Sequence, residues 1–193
     1  MHNLFTIDCG DIFLREFCSE DADGIYKLTS QPEVYEFLPD WRSTREQRLN
    51  WIINEEIPSN KAFLSAVPNI NGHNYLKLAI ILKATGEVIG FCNTGTKEEL
   101  SEPNQEIAYA MSKHFRNSGY TTKAVKGLLH YLFEQTNIEQ LNAIIQPRNV
   151  SSLKVIEKCG FSFEKTIEID SLIYGHYTLH REVWKKRSSS SHP

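Results

Sequence analysis

One stretch, "EIAYAMSKHFRNSGYTTKAVKGLLHYLFEQ" (Glu106–Gln135), constrains this chain more than any other. At its start Ile107, Tyr109 and Met111 alternate with Glu106, Ala108 and Ala110, which is the period of a strand. From Thr121 the spacing changes, and Ala124, Val125, Leu128, Leu129 and Leu132 fall on one side of a helix. A short turn, "RNSG", joins the two. The first N–H groups of a helix have no internal partner, and the helix dipole makes that end positive, so a phosphate is stabilised there. Gly119 lets the backbone approach a ligand, and Asn117 and Ser118 are small. Lys113, Arg116, Lys123 and Lys126 add positive charge nearby. The local residues fit an ordinary strand-to-helix turn equally well. The stretch contains neither GxxxxGK[ST] nor GxGxxG, so it has no nucleotide P-loop and no dinucleotide fingerprint.

The flanking sequence supplies the frame. "DIFLREFC" reads as a strand, and "SEDADGIYKLTS" as a helix capped by Ser19. "QPEVYEFL" and "STREQRLNWIINEEI" read as helices, the second capped by Ser43 or Thr44 with an apolar face of Leu49, Ile52, Ile53 and Ile57. "KLAIILKATGEVIGFCNTG" reads as a hairpin turning at Thr85-Gly86. Past Gln135, "LNAIIQ" is a strand, and "NVSSLKVIEKCGF" a helix with Asn149 near its cap and Gly160 at its end. "FSFEKTIEI" and "LIYGHYTLHREVW" form a final hairpin. This order predicts an α/β fold, a mixed sheet with helices on both faces. It fits a single domain over 1–187, with 188–193 of the low-complexity "KKRSSSSHP" an unstructured tail.

Bulk properties narrow the classes. A length of 193 residues, 40% hydrophobic and 23% charged, is enough for one domain with a substantial core. A net charge of -3 argues against a nucleic-acid partner. The longest apolar runs are too short to span a bilayer, and "MHNLFTIDCGD" lacks the sections of a signal peptide, so no membrane association and a cytoplasmic location are expected. Cys9, Cys18, Cys92 and Cys159 contain no CxxC pair, and His176 and His180 stand four apart on a strand without an adjacent carboxylate or thiol. Reduced thiols and no metal are expected.

Two segments resemble the GNAT superfamily of N-acetyltransferases. "RNSGYT" resembles its acyl-CoA pyrophosphate loop, Q/R-x-x-G-x-G/A. Arg116 and Gly119 match, and Thr121 stands where the pattern has a small residue. "NVSSLKVIEKCGF", with Asn149, Ser152 and Gly160-Phe161, resembles the superfamily's asparagine-to-GF segment, and "ATGEVIGFCNTG" the hairpin before its central strand. "EIAYAMSKHFRNSGYTTKAV" is similar to the ribosomal-protein N-terminal acetyltransferase (Rim-type) branch. The resemblance runs from about Ile12 to Trp184 and implies a GNAT fold.

It also implies direct attack of an amine on the thioester of acetyl-CoA, the cosubstrate. Glu106 is then the candidate base, acting directly or through water, against the plainer role of a glutamate ending a strand. Ser152 is the candidate donor to the departing thiolate, or a first-turn serine only. The backbone of Ala110, Met111 and Ser112 is implied as a rail for pantetheine. Arg116, Asn117, Ser118, Gly119, Tyr120 and Thr121 are implied to hold the pyrophosphate, chiefly by backbone N–H groups. Asn149 is implied to bind the pantetheine arm, beside its role as a cap. Tyr109, Tyr174 and Tyr177 read better as packing residues. Trp41 and Trp51 can pack or wall an acceptor site, and Glu98, Glu99 and Glu102 read as a solvated loop that can attract a cationic amine. The acceptor is a protein N-terminal α-amine or a small amine such as a polyamine, amino sugar or amino acid, and the protein is a monomer or homodimer. A catalytically inactive acyl-CoA sensor or scaffold of the same fold is the alternative. A nucleotide switch or nucleic-acid binder is disfavoured by the missing P-loop and the acidic balance.

Overall fold

The computed structural model describes residues 4–70 and 75–189. Eight strands form one sheet: β1 (Thr6–Asp8), β2 (Ile12–Glu16), β3 (Leu76–Leu82), β4 (Val88–Thr96), β5 (Gln105–Met111), β6 (Gln140–Ile145), β7 (Ser162–Ile169) and β8 (Leu172–His180). Their spatial order is β1-β2-β3-β4-β5-β6-β8-β7. Every neighbouring pair is antiparallel except β5 and β6. That exception follows from the helix α5 (Tyr120–Gln135), which carries the chain back to the end of the sheet where β5 began before β6 starts.

Helices cover both faces, as the alternation of elements predicts. On one face α5 and α6 (Val150–Cys159) bury Leu128, Leu129, Phe133 and Ile156 against Leu78, Ile80, Ile107 and Leu141. On the other, α1 (Ala22–Thr29) buries Ile25 and Leu28 against Ala79, Ile81, Phe91 and Ala110. Full burial of each such side chain contributes about 1.5–3 kcal/mol. The short α2 (Pro32–Tyr35) follows α1 and reaches the edge of β5.

Four local expectations change. Ser19 does not cap α1; a 3-10 turn, Ser19–Asp21, precedes it, and the Asp21 carboxylate accepts from the Cys18 N–H at 2.8 Å and from Arg15. Thr44 does cap α3 (Arg45–Trp51), in a reciprocal pair with Gln47. The expected apolar face of Leu49, Ile52, Ile53 and Ile57 forms only in part: Ile52 is buried and Ile57 packs against the same core cluster. A π-turn, Ile52–Glu56, joins α3 to α4 (Ile57–Ala66), and its extra residue rotates the face. Arg48, Ile52, Glu56 and Asn60 point inward, while Leu49 and Ile53 stay 40% and 45% exposed. Finally, β8 stops at His180, and α7 (Arg181–Ser189) replaces the expected end of the hairpin. Arg181 donates to the carbonyls of Thr136 and Ile138, each at 2.6 Å, closing the end of α5. Residues 188 and 189, expected in the tail, are helical; 190–193 lie outside the described residues.

Candidate active site

β5 is paired along its whole length with β4, and β6 likewise with β8. Between them, β5 and β6 meet in register at one position, Glu106 opposite Asn142. Asn142 is fully buried and staples that point. Its Nδ2 donates to the carbonyls of Pro103 (3.0 Å) and Gln105 (2.9 Å), and its Oδ1 lies 2.9 Å from His176 Nε2. Beyond it the strands part. The two facing edges carry peptide groups with no ladder between them, and they flank a cleft of about 660 Å³ lined by residues 106–111 and 144–146. That volume suits a ligand of cofactor size, and the free strand edges suit one that carries amides.

Glu106 sits at the vertex of the parting strands. Burial pushes its carboxyl up to about 7. Lys97 pulls it down, Glu99 pushes it up and the Ile144 N–H pulls it back, all more weakly. A carboxylate poised near neutrality is suited to exchanging protons with a bound group.

At the open end lies the turn before α5. Asn117 and Gly119 adopt left-handed backbone, with φ of 63° and 76°. A Cβ built on Gly119 would meet nothing within 4 Å, so conformation and ligand approach, not packing, are what glycine supplies there. The turn presents the unpaired first N–H groups of α5 to the cleft through Tyr120, Thr121 and Thr122. The nearby cations are placed differently from the sequence expectation. Lys123 pairs with Asp11, and Lys113 lies 3.7 Å from Glu33. Arg116 donates to the carbonyls of Met111 (3.4 Å) and Glu33 (3.0 Å), which makes it a strut of the cleft wall. Arg148, Lys154 and Lys158 face the cleft from the side of α6.

The wall formed by α6 begins at Asn149, whose Oδ1 accepts from the Ser152 N–H at 3.2 Å, and the helix ends at Gly160 with φ of 97°. The Tyr109 hydroxyl donates to the Ser152 carbonyl at 3.0 Å, tying β5 to α6 across the cleft. Burial raises the pKa of this phenol strongly, so it keeps its proton. On the far side of Glu106 is a second recess of about 60 Å³, whose lining includes Tyr75, Asn93, Gly95, Glu106 and Ala108.

Residues 11–162 match the acetyltransferase (GNAT) domain family. The chain belongs to this family. A GNAT relative, the uncharacterized N-acetyltransferase YnaD of Bacillus subtilis, is 27% identical over 153 residues, covering 79% of this chain and 80% of that one. The aminoglycoside acetyltransferase AAC(6')-Ib, solved in complex with coenzyme A and kanamycin, superposes with a TM-score of 0.72 at 16% identity, over 92% of this chain and 99% of that one. The ribosomal-protein-S5-alanine acetyltransferase from Vibrio fischeri superposes with a TM-score of 0.74 at 15% identity, over 93% and 98%. At these identities the two structures establish the GNAT fold.

Of the residues singled out from the sequence, Glu106, Ala110, Met111, Arg116, Asn117, Gly119, Tyr120, Thr121, Asn149 and Ser152 all line the GNAT cleft. Ser112 and Ser118 do not. The Ser112 N–H is used by the Ile89 carbonyl at 2.9 Å, and its hydroxyl accepts from Gln31. The Ser118 side chain is exposed and turned back toward the Arg116 carbonyl. Tyr109 and Tyr174, read as packing residues, line the cleft as well. Trp41 packs, stacked on Phe91 at 4.0 Å. Val34 of α2, Leu38 beyond its end and the β6 edge carried no local signal, because only tertiary pairing brings them to β5. Asn142 did leave one: an asparagine inside the apolar run "LNAII" must be satisfied when buried. Among the described residues no group of three His, Cys, Asp or Glu could hold a metal, and no helix is long and apolar enough to cross a membrane.

Proposed function

We propose that this GNAT protein transfers the acetyl group of acetyl-CoA to a primary amine by direct attack. The observation that carries this is a single cleft with a phosphate-accepting helix start at one end and a carboxyl titrating near 7 at the other. The turn of residues 116–121, with Lys154 and Lys158 facing it, takes the phosphates of CoA. The parted edges of β5 and β6, with Ala110 and Met111, take the pantetheine amides, and Asn149 adds its free Nδ2. Peptide N–H groups on the β5 edge meet the negative charge that grows on the thioester oxygen.

An alkylamine is protonated at neutral pH and cannot attack in that form. Glu106 removes the proton, the nitrogen forms its bond to the acyl carbon and the carbon–sulfur bond breaks. The attacking nitrogen sheds its second proton as the amide forms, and that proton reaches the departing thiolate through the Ser152 hydroxyl. The acceptor falls within two kinds suggested by the structural neighbours, an amino sugar such as kanamycin or a protein N-terminal α-amine. The second is the Rim-type reading that the sequence resemblance favours.

The test follows thiol release from acetyl-CoA with a panel of amines: kanamycin, spermidine, free amino acids and peptides with N-terminal alanine or serine. Release that depends on an amine, and that falls by about 10²–10⁴ in Glu106→Gln, is the expected result. Tight CoA binding with no release for any amine, and no effect of the substitution, would instead identify an acyl-CoA sensor or scaffold.

A further inference from the structure

We propose that the recess on the far side of Glu106 seats the acceptor nitrogen, and that Asn93 binds it through Oδ1. This rests on the acetyl-transfer reading and adds to it a specificity-determining residue and a shape for the acceptor. The acceptor class is a primary amine.

The sheet register places the parts. On one face, β4 sets Gly95 opposite Glu106 and Asn93 opposite Ala108. Glu106 and Ala108 also line the large cleft, so the two spaces share one wall. A nitrogen in the recess therefore reaches the same carboxyl that closes the acyl cleft.

Asn93 is 8% exposed, and its Oδ1 has no hydrogen-bond partner among the described residues. A buried acceptor left unpaired costs about 1–3 kcal/mol, so a donor is expected from elsewhere. The nearest cationic candidate is Lys77, opposite Asn93 on β3, but its Nζ is held by Glu56 Oε1 at 3.1 Å. An ammonium or amine N–H entering the recess supplies the missing donor.

The walls set size and charge. A volume of about 60 Å³ has room for an amine nitrogen and the carbon that carries it. The Tyr75 ring roofs the recess, and a Cβ on Gly95 would lie 2.0 Å from it, which explains glycine at that position. The Tyr75 hydroxyl is fixed to the Thr96 carbonyl at 3.0 Å. An aromatic face and the charges of Glu98, Glu99 and Glu106 around Tyr75 favour a cation there. Lys97, the other cation on this side, is occupied by Glu99 at 2.9 Å.

The test needs no turnover for its first arm. Ethylammonium chloride is titrated into the CoA-loaded protein, and the side-chain amide cross-peak of Asn93 is followed by NMR, assigned by its loss in Asn93→Leu. A saturable shift with ethylammonium, and none with tetramethylammonium, which has no N–H, is expected. No shift, or the same shift with both, overturns the proposal. In the second arm, Asn93→Ala should raise the KM of any amine that is acetylated by at least about tenfold, with acetyl-CoA affinity unchanged. An unchanged amine KM overturns the proposal while leaving acetyl transfer intact. A saturable shift without acetylation of any amine would uphold the seat and remove the enzymatic reading.

Discussion

The position of the Glu106 carboxyl near 7 can be tested without knowing the acceptor, because it is also a statement about stability. The ordinary value is 4.5, and the rise to about 7 has burial as its largest cause. That difference corresponds to about 3 kcal/mol between the two protonation states. Between pH 4.5 and about 7 the folded protein holds a proton that the unfolded chain has lost. Stability contributed by this group is therefore complete below the unfolded value, falls as pH rises through the window, and levels off above about 7. Glu106→Gln has no charge to bury and omits this loss. Urea denaturation of the ligand-free protein, wild type beside Glu106→Gln, at about pH 4, 6 and 8, reads the gap directly. The variant should gain on the wild type by about 3 kcal/mol from the lowest to the highest pH, a relative shift of about 1 M in urea midpoint. A gap that stays constant across the range would refute the claim that burial holds this carboxyl near neutrality. The same group should appear in catalysis. Below about 7, kcat/KM should fall by about tenfold per pH unit in the wild type.

Other predictions follow from single contacts. Gly119→Glu places bulk and negative charge beside the free N–H groups of α5 and should weaken acetyl-CoA binding by more than about tenfold. Gly119→Ala, which adds only backbone strain at φ of 76°, should cost about 1 kcal/mol of stability and much less affinity, as calorimetry of both variants will show. Asn142→Ala removes the staple between β5 and β6 and leaves buried carbonyls of Pro103 and Gln105 unpaired, a loss of about 1–3 kcal/mol in denaturant titration. Arg48→Met leaves Glu56 with Lys77 at 3.1 Å as its remaining cationic partner and should cost about 1–3 kcal/mol, and replacing Arg48 and Glu56 together by apolar residues should recover much of that in thermal melts.

Local chemistry made much of this protein readable in one dimension. The period of two in residues 106–111, the period of 3.6 from Thr121 and the glycine between them need nothing from distant parts of the chain. The same is true of Asn149 and Gly160 as the ends of α6. These elements carry the family's motifs, so most of the cleft on the β5, α5 and α6 sides could be named from the sequence. Two features could not. The inward face of α3 and α4 depends on a π-turn that sets buried Arg48 beside Glu56, where Lys77 of β3 also reaches Glu56, a contact across sequence. The end of β8 depends on Arg181 finding carbonyls at the end of α5.

The turn that opens α5 shows the division most clearly. Its residues determine a helix start with free N–H groups and room for a phosphate. Whether that matters depends on what stands in front of it. The parting of β5 from β6 at Asn142 opens the space, and the pairing of β4 with β5 sets Asn93 and Gly95 on the far side of Glu106. Spacing along the chain does not encode either arrangement, because hydrogen bonding across the sheet joins residues that are not neighbours in sequence. Tertiary structure alone turned a strand, a turn and a helix into one cleft with two approaches to a single carboxyl.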